Sequence, residues 1–103
     1  MTLEELKTTL STSQIPVYYG FSKTDQKLPY MVYYEAYSND FVADGKNYYG
    51  IKHIDLSLYT AKKDLTTEST VETILKNNGL VYTKTEEYSS DERVYQIIYE
   101  FEI

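Results

Sequence analysis

The stretch from Tyr48 to Thr60 alternates between apolar and polar residues, and no other pattern constrains the fold of this chain as strongly. Successive side chains of a β-strand point to opposite faces, so the apolar residues Ile54, Leu56 and Leu58 would share one face. The residues between and beside them would share the other face: His53, Asp55, Ser57 and Tyr59. The alternation therefore predicts a strand with one face in the core and the other in water.

A helix is predicted at residues 3–11. Thr2 and Glu5 have the spacing of a capping box, in which each side chain can accept a hydrogen bond from the backbone of the other. Apolar residues then recur on one helical face: Leu3, Leu6 and Leu10. This combination of a start signal and an apolar stripe is typical of a short amphipathic helix.

A second helix is predicted after Asp64, with Thr66 or Thr67 as its N-cap. Its apolar face would carry three residues: Val71, Ile74 and Leu75. Asn78 and Gly79 would end it, because glycine readily adopts the left-handed conformation that commonly follows a helix.

Four further segments are predicted to be extended. Residues 15–19 form a short one in which Pro16 cannot donate to a ladder, so it fits a strand start or a sheet edge. Residues 30–37 are rich in aromatic and branched side chains, which favours a strand over a helix. Residues 80–88 and the alternating run 93–103 are expected to pair as a hairpin.

The segment between the second and third strands carries turn signals, at Ser38-Asn39-Asp40 and at Asp44-Gly45. These signals enclose Phe41-Val42-Ala43, which predicts an excursion from the sheet with a small hairpin centred on Asp44-Gly45. We expect the tip of this excursion to be exposed.

In chain order these elements are helix, short strand, strand, strand, helix, strand and strand. They predict one α+β domain spanning residues 1–103, with a mostly antiparallel sheet of four to five strands and two short helices packed on one face. A chain of 103 residues is long enough for one modest core and short for two domains.

Composition excludes several classes of function. The 10 Lys and Arg are outnumbered by 16 Asp and Glu and scattered among them, whereas a nucleic-acid surface gathers bases on one face. The absence of cysteine rules out disulfides and thiolate zinc sites. Apolar runs are shorter than the roughly 18 residues of a membrane span, and the N-terminal sequence does not resemble a signal peptide. We therefore expect a soluble protein, made inside the cell, without a membrane segment.

Three candidate chemistries are weak. His53, Asp55 and Ser57 share a predicted face, but the sequence around Ser57 lacks the Gly-x-Ser-x-Gly turn that would activate a nucleophile. Asp40 and Asp44 suggest a calcium loop, yet the alternating ligands and the later glutamate are missing. The four glycines form no phosphate-binding loop. We expect no enzymatic activity, no metal and no cofactor.

Several short blocks carry a family resemblance over almost the whole chain: Ile15 to Gly20, Leu28 to Tyr33, Phe41 to Tyr48, Leu58-Tyr59-Thr60 with Lys63-Asp64, Glu68 to Leu75, Tyr82 with Lys84 and Tyr88, and Tyr95 to Tyr99. In this order they resemble the tail completion proteins, also called tail terminator or head-tail joining proteins, of long-tailed bacteriophages and prophages of Gram-positive bacteria. Gly45 departs from the family, in which Asn is more usual after Ala-Asp, but both residues tolerate the same left-handed turn.

The resemblance implies a structural protein of the virion without enzymatic activity. Family members sit at the head-tail junction as a ring, typically of six subunits, that stops growth of the tail tube and accepts the head connector. The implied partners are therefore other copies of the chain, head-connector proteins and tail-tube proteins. DNA would pass through the ring without specific binding, and assembly would take place in the cytoplasm of the bacterial host.

A closed ring needs two different patches on each subunit, and the excursion at residues 39–48 could supply strand edges and aromatic anchors for one of them. We predict these interface residues: Asp40, Phe41, Asp44, Lys46 and Tyr48. Two alternatives stay open. One is another neck or tail component of the virion; the other is a small acidic phage protein that inhibits a host nuclease by imitating the charge of DNA, which would need acidic residues clustered in a stripe.

Overall fold

In the computed structural model, residues 1–20, 27–43 and 46–103 are described, and for residues 39–43 and 46–49 the description covers the backbone. The elements are α1 (Leu3–Ser11), β1 (Val17–Tyr19), β2 (Tyr30–Ala43), β3 (Lys46–Thr60), α2 (Leu65–Asn77), β4 (Tyr82–Ser89) and β5 (Val94–Glu102). The five strands form one sheet in the order β1-β2-β3-β5-β4. The predicted α+β class is confirmed.

Three of the four strand pairs in the sheet are antiparallel, and β1 pairs with β2 in parallel. The predicted hairpin between the last two strands is confirmed, with Tyr82 opposite Phe101 and Ser89 opposite Val94. β3 lies at the centre, where Leu56 faces Tyr33 of β2 on one side and Tyr99 of β5 on the other. The alternation that identified β3 in the sequence thus belongs to the central strand.

The core lies between one face of the sheet and the two helices. Ile54, Leu56 and Leu58 are fully buried there, as their alternation predicted. The helices contribute four fully buried residues: Leu6, Leu10, Val71 and Leu75. Strands β2 and β5 complete the cluster with Met31, Tyr33, Ile97, Tyr99 and Phe101. Both helices therefore cover the same face, while Ile74, predicted for the apolar face of α2, is only partly buried.

The predicted N-cap is correct for α1 and wrong for α2. At α1 the capping box is present, with Thr2 Oγ1 accepting from the Glu5 backbone and Glu5 Oε1 accepting from the Thr2 backbone, both at 3.1 Å. At α2 the predicted N-cap, Thr66 or Thr67, was wrong. Asp64 is the cap, because its carboxylate accepts from the Thr67 backbone at 3.1 Å and from the Thr67 hydroxyl at 2.6 Å.

The two longest strands continue past the end of the sheet. β5 pairs with β3 as far as His53 opposite Glu102, and backbone bonds between Lys52 and Ile103 close this ladder. Beyond that point, residues 39–43 of β2 and 46–51 of β3 pair with each other as a two-stranded ribbon, which we call the hairpin arm. A 15-residue strand spans roughly 46 Å, which approaches the 51 Å length of the molecule.

The hairpin arm differs from the excursion predicted for this segment. The turn signals at Ser38-Asn39-Asp40 do not end β2, because β3 continues to pair with it through this region, with a register shift between Phe41 and Val42. A continuous antiparallel partner satisfies the backbone groups of residues that would otherwise favour a turn. Asp44-Gly45, the predicted centre of the hairpin, lies outside the described residues.

Candidate functional site

Neither of the two described helices packs on the face of the sheet opposite the core, and we call this the open face. Strand registers arrange its residues in four rows that cross the sheet. The rows are Tyr30-Tyr59-Gln96-Glu87, Val32-Ser57-Ile98-Thr85, Tyr34-Asp55-Glu100-Thr83 and Tyr37-His53-Glu102; Tyr18 of β1 lies beside Val32. Half-exposed tyrosines on a flat surface are typical of protein interfaces.

The first row is held in place by ring contacts and hydrogen bonds. The rings of Tyr30 and Tyr59 stack with centroids 4.9 Å apart, and Tyr18 meets Tyr30 edge-on at 6.4 Å. The Gln96 amide donates to the Tyr59 hydroxyl at 3.2 Å and to the Ser57 hydroxyl at 3.1 Å. Burial raises the pKa of the Tyr59 hydroxyl. These side chains are fixed before any partner arrives, so binding would cost little side-chain entropy.

The third row joins an exposed tyrosine to a carboxylate. Tyr34 is 42% exposed, and its hydroxyl donates to Asp55 Oδ2 at 3.0 Å. This hydrogen bond to Asp55 raises the pKa of the Tyr34 hydroxyl. Glu100, on the neighbouring strand, is exposed directly opposite Asp55. The row therefore presents an aromatic ring and two carboxylates side by side.

The fourth row borders a recess of about 600 Å³ at one end of the sheet. The rings of Tyr37 and His53 stack with centroids 4.0 Å apart, and His53 Nδ1 lies 3.5 Å from Glu102 Oε1. Asp55, Glu100 and other residues also line this recess. Its lining thus combines aromatic and acidic residues with small and aliphatic ones.

The acidic residues of the open face gather in its third and fourth rows, with Glu87 in the first row. The face carries four carboxylates, those of Asp55, Glu87, Glu100 and Glu102, and the described residues that point to it include neither lysine nor arginine. A surface of this kind favours cationic partners and disfavours phosphates.

His53, Asp55 and Ser57 share one face, as predicted, but each is paired across the strands rather than with the others. His53 lies by Glu102, Asp55 accepts from Tyr34, and Ser57 accepts from Gln96. The expectation that this side of the sheet is wet was wrong at Ser57, which is only 8% exposed. Its short side chain lies between rows of larger ones, which keep water away.

Four of the five predicted interface residues belong to the hairpin arm. Asp40 and Phe41 lie on its β2 strand, and Lys46 and Tyr48 lie on its β3 strand, with Phe41 opposite Tyr49. The fifth, Asp44, lies outside the described residues. The backbone thus brings four of these positions into one ribbon.

Sequence reasoning missed a group of charged residues between α2 and β4, which we call the ion cluster: Lys63, Glu68, Glu72, Lys84 and Glu86. Glu68 is only 1% exposed, and its carboxylate lies 2.9 Å from Lys63 Nζ and 2.8 Å from Lys84 Nζ. A sequence signal exists in hindsight. Tyr82, Lys84 and Glu86 are two residues apart on β4, so they share the face that points to α2. On that helix, Glu68 and Glu72 are one turn apart.

The ion cluster fastens the second helix to the sheet. Glu72 accepts hydrogen bonds from Lys84 at 2.8 Å, Tyr99 at 2.8 Å and Tyr82 at 3.2 Å. Burial acts to raise the pKa of Glu72, but the hydrogen bonds from Lys84 and Tyr99 outweigh it and the pKa is lowered. Hydrogen bonds to Glu68 and Glu72 raise the pKa of Lys84. Because its charges pair with one another, we interpret the ion cluster as a structural feature rather than as a binding site.

In comparisons with known proteins, no protein-family model and no curated sequence matches the chain. The resemblance to tail completion proteins thus stays a prediction. Within the described residues, no group of three metal-ligating side chains comes together. The helices that the structure describes include none long and apolar enough to span a bilayer.

Proposed function

We propose that this chain is a structural protein of a bacteriophage or prophage virion, located at the head-tail junction. In this proposal, copies of the chain form a ring that ends the tail tube and receives the head connector. The protein acts by binding its neighbours and transforms no substrate. The observation that carries the proposal is the hairpin arm, and the order of the sequence blocks supports it.

The hairpin arm is a ribbon of two strands that continues beyond the other three. Residues 39–43 and 46–51 pair with each other, and β5 does not extend alongside them. An isolated two-stranded hairpin is at best marginally stable in water. Contact with a neighbouring subunit would stabilise it, because packing against the neighbour would add to the pairing between the two strands.

An arm that reaches from one subunit to the body of the next makes a heterologous contact. Such contacts join two different patches, and they generate a closed ring when the rotation between neighbours completes a circle. The block Phe41 to Tyr48, which contributes to the family resemblance, falls on this arm. The same segment would thus provide both the resemblance and the assembly contact.

The charge of the chain suits a ring through which DNA passes. Its formal net charge is −6, and like charge disfavours contact with the phosphate backbone. DNA would then move through the ring without specific binding.

An arm-trimmed variant tests the proposal. Ser38 and Lys52 are opposite each other at the base of the arm, so residues 39–51 can be replaced by Asn-Gly, a pair that favours a tight hairpin turn. We expect native mass spectrometry and electron microscopy to show rings of about six wild-type subunits, formed alone or with tail-tube and head-connector proteins. The trimmed variant should stay monomeric while its body unfolds cooperatively.

Asp91→Asn is the matched control, because it changes the net charge by the same single unit at a site in the β4–β5 turn. It should form rings as the wild type does. Wild-type protein that stays monomeric with both partners present would contradict the proposal. So would normal joining of heads and tails in a phage that lacks the gene.

One observation favours a second candidate, inhibition of a host nuclease by imitation of DNA charge. That function needs acidic residues gathered on one surface, and Asp55, Glu100 and Glu102 lie together on the open face. Competition with DNA for a purified nuclease would test it. Gene position separates the two: a place between head-connector and tail-tube genes favours the junction, and a place among early genes favours the inhibitor.

A further inference from the structure

The carboxylates on the two faces of the sheet have different kinds of partner. On the helix side, the carboxylates of Glu68, Glu72 and Glu86 each contact a lysine. On the open face, the contacts of the carboxylates are of another kind: Asp55 accepts from the Tyr34 hydroxyl, and Glu102 lies beside the His53 ring. The negative charge of the open face is therefore uncompensated by lysine or arginine among its described residues.

We propose that the open face is a docking surface for a basic segment of another protein, which sets lysine or arginine side chains along Asp55, Glu100 and Glu102 and packs its apolar parts on the tyrosines. This inference does not rest on the proposed position at the head-tail junction. A connector, a tube protein or a nuclease could each present such a segment.

The recess beside Tyr37 suits a guanidinium group. Tyr37 is 59% exposed, and the carboxylates of Glu100 and Glu102 line the same recess. A guanidinium can stack on an aromatic ring and at the same time form paired hydrogen bonds with a carboxylate. The recess volume of about 600 Å³ leaves room for a long side chain.

Size and charge both argue against a second copy of this chain as the occupant. Four strand spacings of about 4.8 Å and eight residues at about 3.3 Å give the face roughly 500 Å² in projection. That area suits a segment or a small surface, since standard interfaces bury about 800 Å² on each partner. A symmetric dimer through this face would also set its carboxylates against the same acidic patch of the copy, and like charges oppose it.

The test uses an octa-arginine peptide as the probe and fluorescence anisotropy at low salt as the readout. We expect the double variant Glu100→Gln/Glu102→Gln to weaken binding at least about ten-fold, because it removes two of the four carboxylates on the face. The matched control is Glu4→Gln/Asp91→Asn, which removes the same charge from α1 and from the β4–β5 turn. It should change the affinity less than about two-fold.

A second pair of variants tests the aromatic contribution. Tyr37→Ala should weaken binding by about five-fold, because it removes the ring that borders the recess. Tyr88→Ala is its control: Tyr88 is similarly exposed, at 53%, but packs against Tyr95 on the helix side of the sheet. This control should bind as the wild type does.

Backbone amide shifts on titration with the peptide locate the contact and confirm that each variant is folded. Shifts concentrated in residues 53–59 and 96–102 support the proposal. Absence of binding overturns it, as do equal losses in the two charge variants or shifts spread over α1 and the β4–β5 turn. Spermidine that gives the same shifts and displaces the peptide at equal charge overturns it too, since the face would then take small cations. Ring formation is measured separately, so failure of either proposal is distinguishable.

Discussion

The hydroxyl of Tyr99 donates a 2.8 Å hydrogen bond to Oε2 of Glu72 and so joins the middle of β5 to α2. Tyr99 is fully buried, and burial together with the bond to Glu72 raises the pKa of its hydroxyl. Tyr82 and Lys84 donate to the same carboxylate from β4. One glutamate side chain therefore holds a helix and two strands together.

The first prediction is that Tyr99→Phe destabilises the fold by about 2 kcal/mol, a typical contribution of a buried hydrogen bond to a charged group. The ring keeps its packing, so the loss reports the hydroxyl. Urea denaturation measures the free energy of unfolding. Tyr95→Phe is the control, because among the described residues the Tyr95 hydroxyl makes no hydrogen bond; similar losses in both variants would contradict the assignment.

The second prediction concerns acid. The folded-state pKa of Glu72 is lowered from its ordinary value of 4.5, so its contribution to stability is present above pH 4.5 and is lost as pH falls through the lowered pKa. Glu72→Gln should therefore be less stable than the wild type at neutral pH. The difference should shrink in urea denaturations at pH values progressively below 4.5. A difference that is constant with pH would show that the charge of Glu72 has no part in it.

The third prediction compares the loss of stability on truncating two adjacent residues whose side chains point to opposite faces of the sheet. Ile97 is fully buried beneath the helices, so Ile97→Ala should cost about 3 kcal/mol of unfolding free energy. Ile98 points to the open face and is only partly buried, so Ile98→Ala should cost about 1 kcal/mol. Chemical denaturation of both variants gives the comparison. Equal costs would mean that the open face is covered in solution.

The fourth prediction concerns the end of α2. Gly79 has φ +70°, and a Cβ added there would meet no heavy atom within 4 Å. Gly79→Ala should therefore cost about 1 kcal/mol through backbone strain alone. Gly79→Asn should cost less, since asparagine tolerates the left-handed region better. Thermal unfolding ranks the three proteins, and an asparagine variant less stable than the alanine variant would contradict this explanation.

Local signals predicted much of the fold because they depend only on residues that are close together in the sequence. The Thr2–Glu5 capping box gave the start of α1, and the alternation around Leu56 gave the buried face of β3. Asp64 was missed as an N-cap because it follows two lysines in a polar break. The extension of β2 was missed because pairing with β3 overrides the turn preference of Asn39 and Asp40.

The sites were harder to predict because they depend on contacts between distant positions. The open face combines residues of all five strands, so its acidic character appears only when Asp55 comes opposite Glu100. In the ion cluster, Glu68 in the first turn of α2 contacts Lys84 near the start of β4. Neither pairing has a signature at fixed sequence spacing, and the register that creates them is set by core packing on the other face.

The sheet order also bears on aggregation. In the body of the sheet the two margins are β1, which is three residues long, and β4, whose sequence is interrupted by Lys84, Glu86 and Glu87. In the hairpin arm, the outer edges of β2 and β3 have no paired strand among the described residues. Short or charged edge strands resist edge-to-edge pairing between molecules. Fibril growth from the β1 and β4 margins is therefore disfavoured, whereas the outer edges of the hairpin arm are the places where a strand of another copy could add to the sheet.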